Sequence, residues 1–388
     1  MSDILRVGII GIGNMGSAHM KNIYDGKISG MVLTAVCDID KQRLDEAASF
    51  EGVQAFSDYK KLLSSGLVDA VIIATPHYLH TVIAIEAFKC GLNVLTEKPA
   101  GVRASDVLKM NEAAKESGKV FGIMWNQRTN PLFSKARELV RDGVLGSPKR
   151  LVWIITNWYR TQAYYDSATW RATWVGEGGG VLLNQAPHNL DLWQWIFGMP
   201  DEIMAECEVG KWHDIEVEDD VVINASYKNG ATATFITSTG EYPGTNRLEI
   251  SGSKGKMVLE KGTLRLFLTD GDERDFCFSE TEGFPSYTVN ESTILPEGEE
   301  TSHNGILQNF TNAVLKGEEL LAPGTDGIKE ITLSNAAYLS AWTGKKVSLP
   351  LDTDTFDKLL EKRINDSKLR TNKKSSARGQ SSRWQVRW

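Results

Sequence analysis

Cysteine is scarce in this chain: four in 388 residues, at Cys37, Cys90, Cys207 and Cys277, far apart and with no C-x-x-C pair. Such spacing excludes a zinc ribbon and a disulfide scaffold, and reduced thiols in a cytoplasmic protein are expected. No stretch approaches the ~20 apolar residues of a membrane helix, and residues 1–10 lack a basic segment followed by a long apolar run. Membrane spanning and secretion are therefore not expected. Positive charge is not in excess either. Lys plus Arg total 43 against 50 Asp plus Glu, a net charge of −7, which leaves no electrostatic footprint for nucleic acid or an anionic membrane. No repeat at a period of 20–50 residues is visible.

What is present is an ordinary globular composition, 41% hydrophobic and 24% charged, in a chain long enough to divide into two domains. The first third alternates short apolar β-rich runs at 6–10, 32–37, 70–74, 93–96 and 120–125 with helical segments at 41–50, 80–90 and 105–117. Gly91 and Gly118 stand just past two of those helix ends. This is the pattern of βαβ units on a doubly wound parallel sheet, which binds ligands at the carboxyl ends of its strands. Beyond about residue 148 the runs lengthen and alternate (221–227, 231–238, 247–252 and 264–268), as in an antiparallel sheet. Helices are expected near 184–197, 305–316 and 326–343, the last packing back on the first domain. The end, 366–388, carries seven Lys or Arg and one Asp; it reads as a basic, solvated, disordered tail.

The first strand runs into Gly11-Ile12-Gly13-Asn14-Met15-Gly16, a G-x-G-x-x-G between strand and helix. Glycines there let the backbone approach a pyrophosphate, which then faces the N–H groups of the following helix. Asp38, 22 residues after Gly16, stands at the end of the second strand, where a carboxylate can bond the adenosine ribose hydroxyls. Its charge favours NAD over NADP, although Lys41 and Arg43 nearby leave room for a phosphate. The plainer role for Asp38, capping the helix near Lys41, ranks below the ribose contact.

Thr96-Glu97-Lys98-Pro99 puts a lysine at the carboxyl edge of the sheet. Much later, Gly178-Gly179-Gly180 precedes a segment in which Asn184, His188 and Asp191 share one helical face at i, i+4, i+7 spacing. Taken alone, His188 would be a structural histidine and Glu97-Lys98 a surface ion pair. Asp191 is expected to anchor its helix or contact a substrate hydroxyl; with no third ligand at recognised spacing, no metal site is read here.

Together these motifs resemble the Gfo/Idh/MocA oxidoreductases over roughly residues 4–350. The resemblance rests on Gly11–Gly16, Ala74-Thr75-Pro76 with His80, Glu97-Lys98-Pro99, Asn126-Gln127-Arg128, Trp170-Arg171, and the glycine run leading to His188 and Asp191. It implies an α/β protein with a Rossmann dinucleotide-binding domain (1–126) and a substrate-binding and oligomerisation α/β domain (127–365) built on a large, mostly antiparallel open sheet that forms dimers or tetramers. It further implies Thr75, His80, Glu97, Asn126, Trp170 and Arg171, with Lys98, as cofactor contacts beside Gly11, Gly13, Asn14, Met15, Gly16 and Asp38. Lys98 and His188 are implied as the catalytic pair. One position departs from the pattern: the family often has Asp where this chain has Asn184.

Oxidising a carbinol requires a base for the hydroxyl proton. A histidine suits this at neutral pH, and a lysine can hold the oxygen; which of the two is the base stays open at this stage. Trp153, Trp158, Tyr159, Tyr164, Tyr165, Trp170 and Trp174 form an aromatic group suited to sugar C–H faces, with at least half expected in the core. Trp158, Arg128, Asn184 and Asp191 are the candidate substrate contacts. Arg128 and Arg160 are able to clamp an anion, and His303 is a further pocket candidate, but a neutral polyol fits better. The expected activity is an NAD-dependent dehydrogenase oxidising a secondary alcohol of a sugar, glycoside or inositol. The alternatives are a glycoside-cleaving enzyme with transient internal oxidation and a non-catalytic cofactor-binding sensor.

Overall fold

A computed structural model describes residues 4–370. Apolar runs at the start of the chain become a six-stranded parallel sheet: β1 (Leu5–Ile10), β2 (Met31–Cys37), β3 (Gln54–Phe56), β4 (Ala70–Ile73), β5 (Asn93–Thr96) and β6 (Phe121–Ile123). Their order is β3-β2-β1-β4-β5-β6, so the winding reverses between β1 and β4 and opens a crevice there. The central strands are buried on both faces, as helices on either side of a parallel sheet require.

Two elements of this first domain escaped the sequence pattern, β3 and the helix Tyr59–Leu63. The three residues of this edge strand are half-exposed or exposed and carry no alternation. The helix after β2 is Lys41–Ala47, and its N-terminus is capped by the Asp40 side chain on the Gln42 and Arg43 N–H groups. This corrects the capping role considered for Asp38.

The second sheet has nine strands: β7 (Pro148–Ile155), β8 (Glu202–Val209), β9 (Glu218–Ser226), β10 (Thr232–Ser238), β11 (Asn246–Gly252), β12 (Gly255–Glu260), β13 (Thr263–Thr269), β14 (Val289–Ile294) and β15 (Val347–Ser348). Their order is β14-β13-β12-β11-β7-β10-β9-β8-β15, antiparallel except for the β7–β10 pair. Period-two alternation puts Ile223, Phe235, Trp153 and Leu248 on one face in register, where Trp193 of the helix Pro187–Phe197 stacks on Phe235 at 5.8 Å.

The helix expected at 184–197 is broken. A turn, Val181–Asn184, ends before Pro187, which starts a separate helix, Pro187–Phe197; proline lacks the N–H to continue the first and suits the first position of the second. Asn184 therefore shares no helical face with His188 and Asp191. The helix Gly327–Thr343 does return to the first domain: Asn335 accepts from Ala104 N–H and donates to Val102 O. Of the tail expected at 366–388, residues 371–388 lie outside the described residues. Within 366–370, Asp366, Lys368 and Leu369 are exposed, while Arg370 is bonded to Thr169 O and Asp214 O and paired with Asp166.

Candidate active site

The glycine turn is dictated by contact. Gly11 has φ +89°, and a Cβ there would lie 2.7 Å from Ala74 O; a Cβ on Gly16 would lie 1.9 Å from Gly11 O. These two let β1 and the helix Asn14–Tyr24 pass each other. Gly13 differs, since its Cβ would meet nothing nearer than Arg43 Nη1 at 3.7 Å; the space before it is open. The helix begins at exposed Asn14 and Met15 without a side-chain cap or an acidic residue in its first turn, leaving its positive end available to an anion.

Asp38, 8% exposed, closes the other side. One carboxylate oxygen accepts from Ile12 N–H at 2.8 Å and the other from Asp40 N–H at 2.9 Å, with Arg43 Nη1 3.6 Å away. Further along the sheet edge, Thr75 Oγ1 and Asn126 Oδ1 are buried without a hydrogen-bond partner among the described residues. An open glycine cradle and two orphaned polar atoms along one edge fit a bound dinucleotide. His80 has another role than the contact the resemblance implied. Its ring lies between Thr75 O (2.7 Å) and Pro99 O (2.8 Å), bracing the exits of β4 and β5; burial holds its pKa below the ordinary value although both carbonyls favour the charged ring.

Lys98 follows β5, and its Nζ donates to Asn184 O at 2.9 Å. In an unbroken helix that carbonyl would accept from residue 188; the break at Pro187 leaves it for the lysine. His188, 4% exposed, packs edge-on against Trp125 at 5.6 Å between ring centroids. Burial, and then the charges of Lys98 and His303, push its pKa well below the usual 6.5. Burial also lowers Lys98, against the opposing carboxylates of Glu97, Glu177 and Glu330. Glu97 bonds His19 Nε2 at 2.7 Å and accepts from Lys98 N–H. Burial works to raise Glu97, but the bond to His19 and the charges of His19, His303 and Lys98 outweigh it and bring it down to about 2. His303 stands 5.7 Å from His19 and, half-buried, is held at about 4 by burial.

Two residues at this site, Glu177 and Glu330, escaped the sequence reading, and Tyr164 entered it only as one of the aromatic group. Glu177, just ahead of the glycine run, accepts from the Asn184 amide and from Ala172 N–H, which holds Ala172 at φ +53°. Tyr164 donates to Asn184 Oδ1 at 3.1 Å and accepts from Arg171 Nη1 at 2.7 Å, and the Arg171 guanidinium also covers the Trp170 ring at 4.6 Å. Glu330 is fully buried on Gly327–Thr343 with neither carboxyl oxygen hydrogen-bonded among the described residues. A charged residue directly before a glycine run was a usable signal for Glu177. Glu330, flanked by Lys329, reads in sequence as an ordinary surface charge.

Two expected substrate contacts are structural. Arg128, 1% exposed, gives Nε and Nη2 to Asp191 at 2.9 and 2.7 Å, and Nη1 to Asp326 and Leu321 O. Its donors are engaged inside the protein, and Asp191 is its counter-ion, so neither is free to hold substrate. Of the aromatic group, Trp153, Tyr165 and Trp174 are buried; Trp158, Tyr164 and Trp170 are half-buried, and Tyr159 is exposed. Trp158 lines a cleft of about 560 Å³ with Gln127 and Asn189.

The cradle and the Lys98–His188 pair meet at the carboxyl edge of one parallel sheet, and that meeting defines the class, an NAD-binding oxidoreductase. Residues 5–124 match the oxidoreductase family with an NAD-binding Rossmann fold, and residues 133–258 match the GFO/IDH/MocA C-terminal domain. Over 354 residues the chain is 27% identical to myo-inositol 2-dehydrogenase of Thermotoga maritima, covering 89% of this chain and 98% of that one. It is 30% identical to an uncharacterized oxidoreductase of Streptococcus pneumoniae over 290 residues, 72% of this chain and 75% of that protein. The WlbA dehydrogenase from Bordetella pertussis, solved in complex with NADH and UDP-GlcNAcA, superposes with a TM-score of 0.75 at 27% identity, covering 90% of this chain and all of that one. The chain belongs to the GFO/IDH/MocA oxidoreductase family.

Proposed function

We propose that the protein is an NAD-dependent dehydrogenase that oxidises a secondary alcohol of a sugar, glycoside or inositol. The observation that carries this reading is the convergence of Lys98 and His188, from separate domains, beside the glycine cradle. When bound, NAD supplies the hydride acceptor. Gly13 and the start of the helix Asn14–Tyr24 would hold its pyrophosphate, Asp38 its ribose, and Thr75, Glu97, Asn126, Trp170 and Arg171 would contact its nicotinamide half. Asp38 disfavours a 2′-phosphate, and both cations nearby are already paired, Arg43 with Asp38 and Asp40 and Lys41 with Asp45.

His188 is neutral at neutral pH because burial and adjacent cations oppose its protonation, so its imidazole receives the hydroxyl proton. Lys98 holds the hydroxyl oxygen and stabilises the negative charge that develops there. Asn184 cannot take a proton; Glu177 fixes its amide and Tyr164 its carbonyl, and it orients the bound ring. The domain division at about residue 126, function as a homo-dimer or homo-tetramer, and work in the reducing cytoplasm, where Cys37, Cys90, Cys207 and Cys277 stay free thiols, belong to the same reading.

The test is nicotinamide absorbance of the protein with NAD and a panel of inositols, free hexoses and glucosides. One compound class is expected to give NADH, and Lys98→Ala or His188→Ala to lower that rate by about 10²–10⁴ while NAD still binds. Near-normal turnover in either variant removes its assigned role. NAD binding without NADH, accompanied by released aglycone, would replace oxidation with cleavage.

A further inference from the structure

Beside the Lys98–His188 site, the cleft of about 560 Å³ opens between Pro131–Arg141, the Pro187–Phe197 helix and the ends of β7, β11 and β12. Its volume falls within the roughly 300–1,000 Å³ of small-molecule sites. Neither Lys98 nor His188 lines it, so a group held there is not the ring being oxidised. Yet its walls are the chain neighbours of site residues: Gln127 follows Asn126, and Asn189 follows His188. The Arg160 guanidinium lies 5.9 Å from the ring of Trp158 on the cleft wall and 5.1 Å from that of Tyr164, the partner of Asn184, so the cleft runs up to the site and a unit in it can be linked to the reacting ring.

The lining states what that unit must be. Asn189, 1% exposed, and Asn157 both line the cleft, and both amide oxygens are buried without a hydrogen-bond partner among the described residues. Each is an acceptor and needs a donor. Hydroxyl groups supply donors, whereas carboxylate and phosphate oxygens do not. Trp158 offers an aromatic face in the same cleft, and the two carboxylates on its walls, Glu260 and Glu300, outnumber its one lysine, Lys261, and so disfavour an anion.

We infer that this cleft is a second, neutral sugar subsite, and that the substrate is a glycoside or oligosaccharide spanning both, not a single free ring. The inference rests on the function proposed above and names its substrate class.

The experiment is calorimetric titration of the full-length protein with NAD present, using methyl glucoside and methyl galactoside against cellobiose, maltose and lactose. At least one disaccharide is expected to bind tenfold or more tightly than its single ring. Asn189→Ala and Asn157→Ala should each bring that ratio towards one. Asn157 is only half-buried, so its variant remains informative if Asn189→Ala does not fold. A ratio near one in the unmodified protein, or a ratio unmoved in the folded variants, overturns the second subsite. Failure of the dehydrogenase reading shows elsewhere, as no Lys98-dependent NADH from any compound.

Discussion

His188 and Lys98 have their pKa values moved in the same direction by burial, and the pH dependence of the reaction records both. The base form of His188 is needed, and its pKa lies below 6.5, so the acidic limb of kcat/KM should fall below pH 6.5. Lys98 is needed charged, and its pKa is below 10.5, so the basic limb should fall below pH 10.5. A profile of kcat/KM between about pH 5 and about pH 10 checks this; an acidic limb above 6.5 would reverse the direction assigned to His188. Both residues were singled out in the sequence only through the family resemblance, since Glu97-Lys98-Pro99 and the segment after Gly178-Gly179-Gly180 each read alone as structural. The true role of Arg128 was not legible there. Its donors are taken by Asp191 and Asp326, 63 and 198 positions away, and no local pattern reports such pairings. The buried carboxyl of Glu330 was hidden for the same reason.

At the level of elements, the first glycine turn separates steric need from ligand need. A methyl group on Gly16 would meet Gly11 O at 1.9 Å, whereas on Gly13 it would stand in open space 3.7 Å from a flexible arginine. Gly16→Ala should therefore lower the melting temperature and abolish NAD binding together. Gly13→Ala should melt within a few degrees of the unmodified protein and still lose most of its NAD affinity. Thermal melts paired with NAD titrations separate the two; unimpaired binding in Gly13→Ala would move the pyrophosphate away from this turn. Long periodic elements such as β9 and β10 were readable because one face of each is buried. β3, β14 and β15 were not, since edge strands with little buried face show no alternation. The break at Pro187 was visible in principle, but the i, i+4, i+7 spacing of Asn184, His188 and Asp191 masked it.

Across the whole molecule, the two sheets differ in how they are covered. The six-stranded sheet is enclosed by helices, while the nine-stranded sheet packs its core against the face carrying Trp153 and Phe235. On the opposite face, register aligns Val222, Ile236 and Ile154 across β9, β10 and β7, with Val152 one step along β7, and all four are half-buried. Towards β11 and β12 the same face turns charged, where Arg247 pairs with Glu249 and Glu260, and Lys256 with Glu249. An apolar centre with a polar rim is the anatomy of a surface that meets another protein. The two-fold arrangement that matches such a patch to itself is the commonest for homo-oligomers. Light scattering should thus give a dimer or tetramer mass for the unmodified protein. Ile236→Lys puts a charge at the middle of the patch without touching the buried face, and it should shift that mass towards the monomer while leaving NAD binding in place. An unchanged mass for Ile236→Lys would place the contact between subunits on another surface.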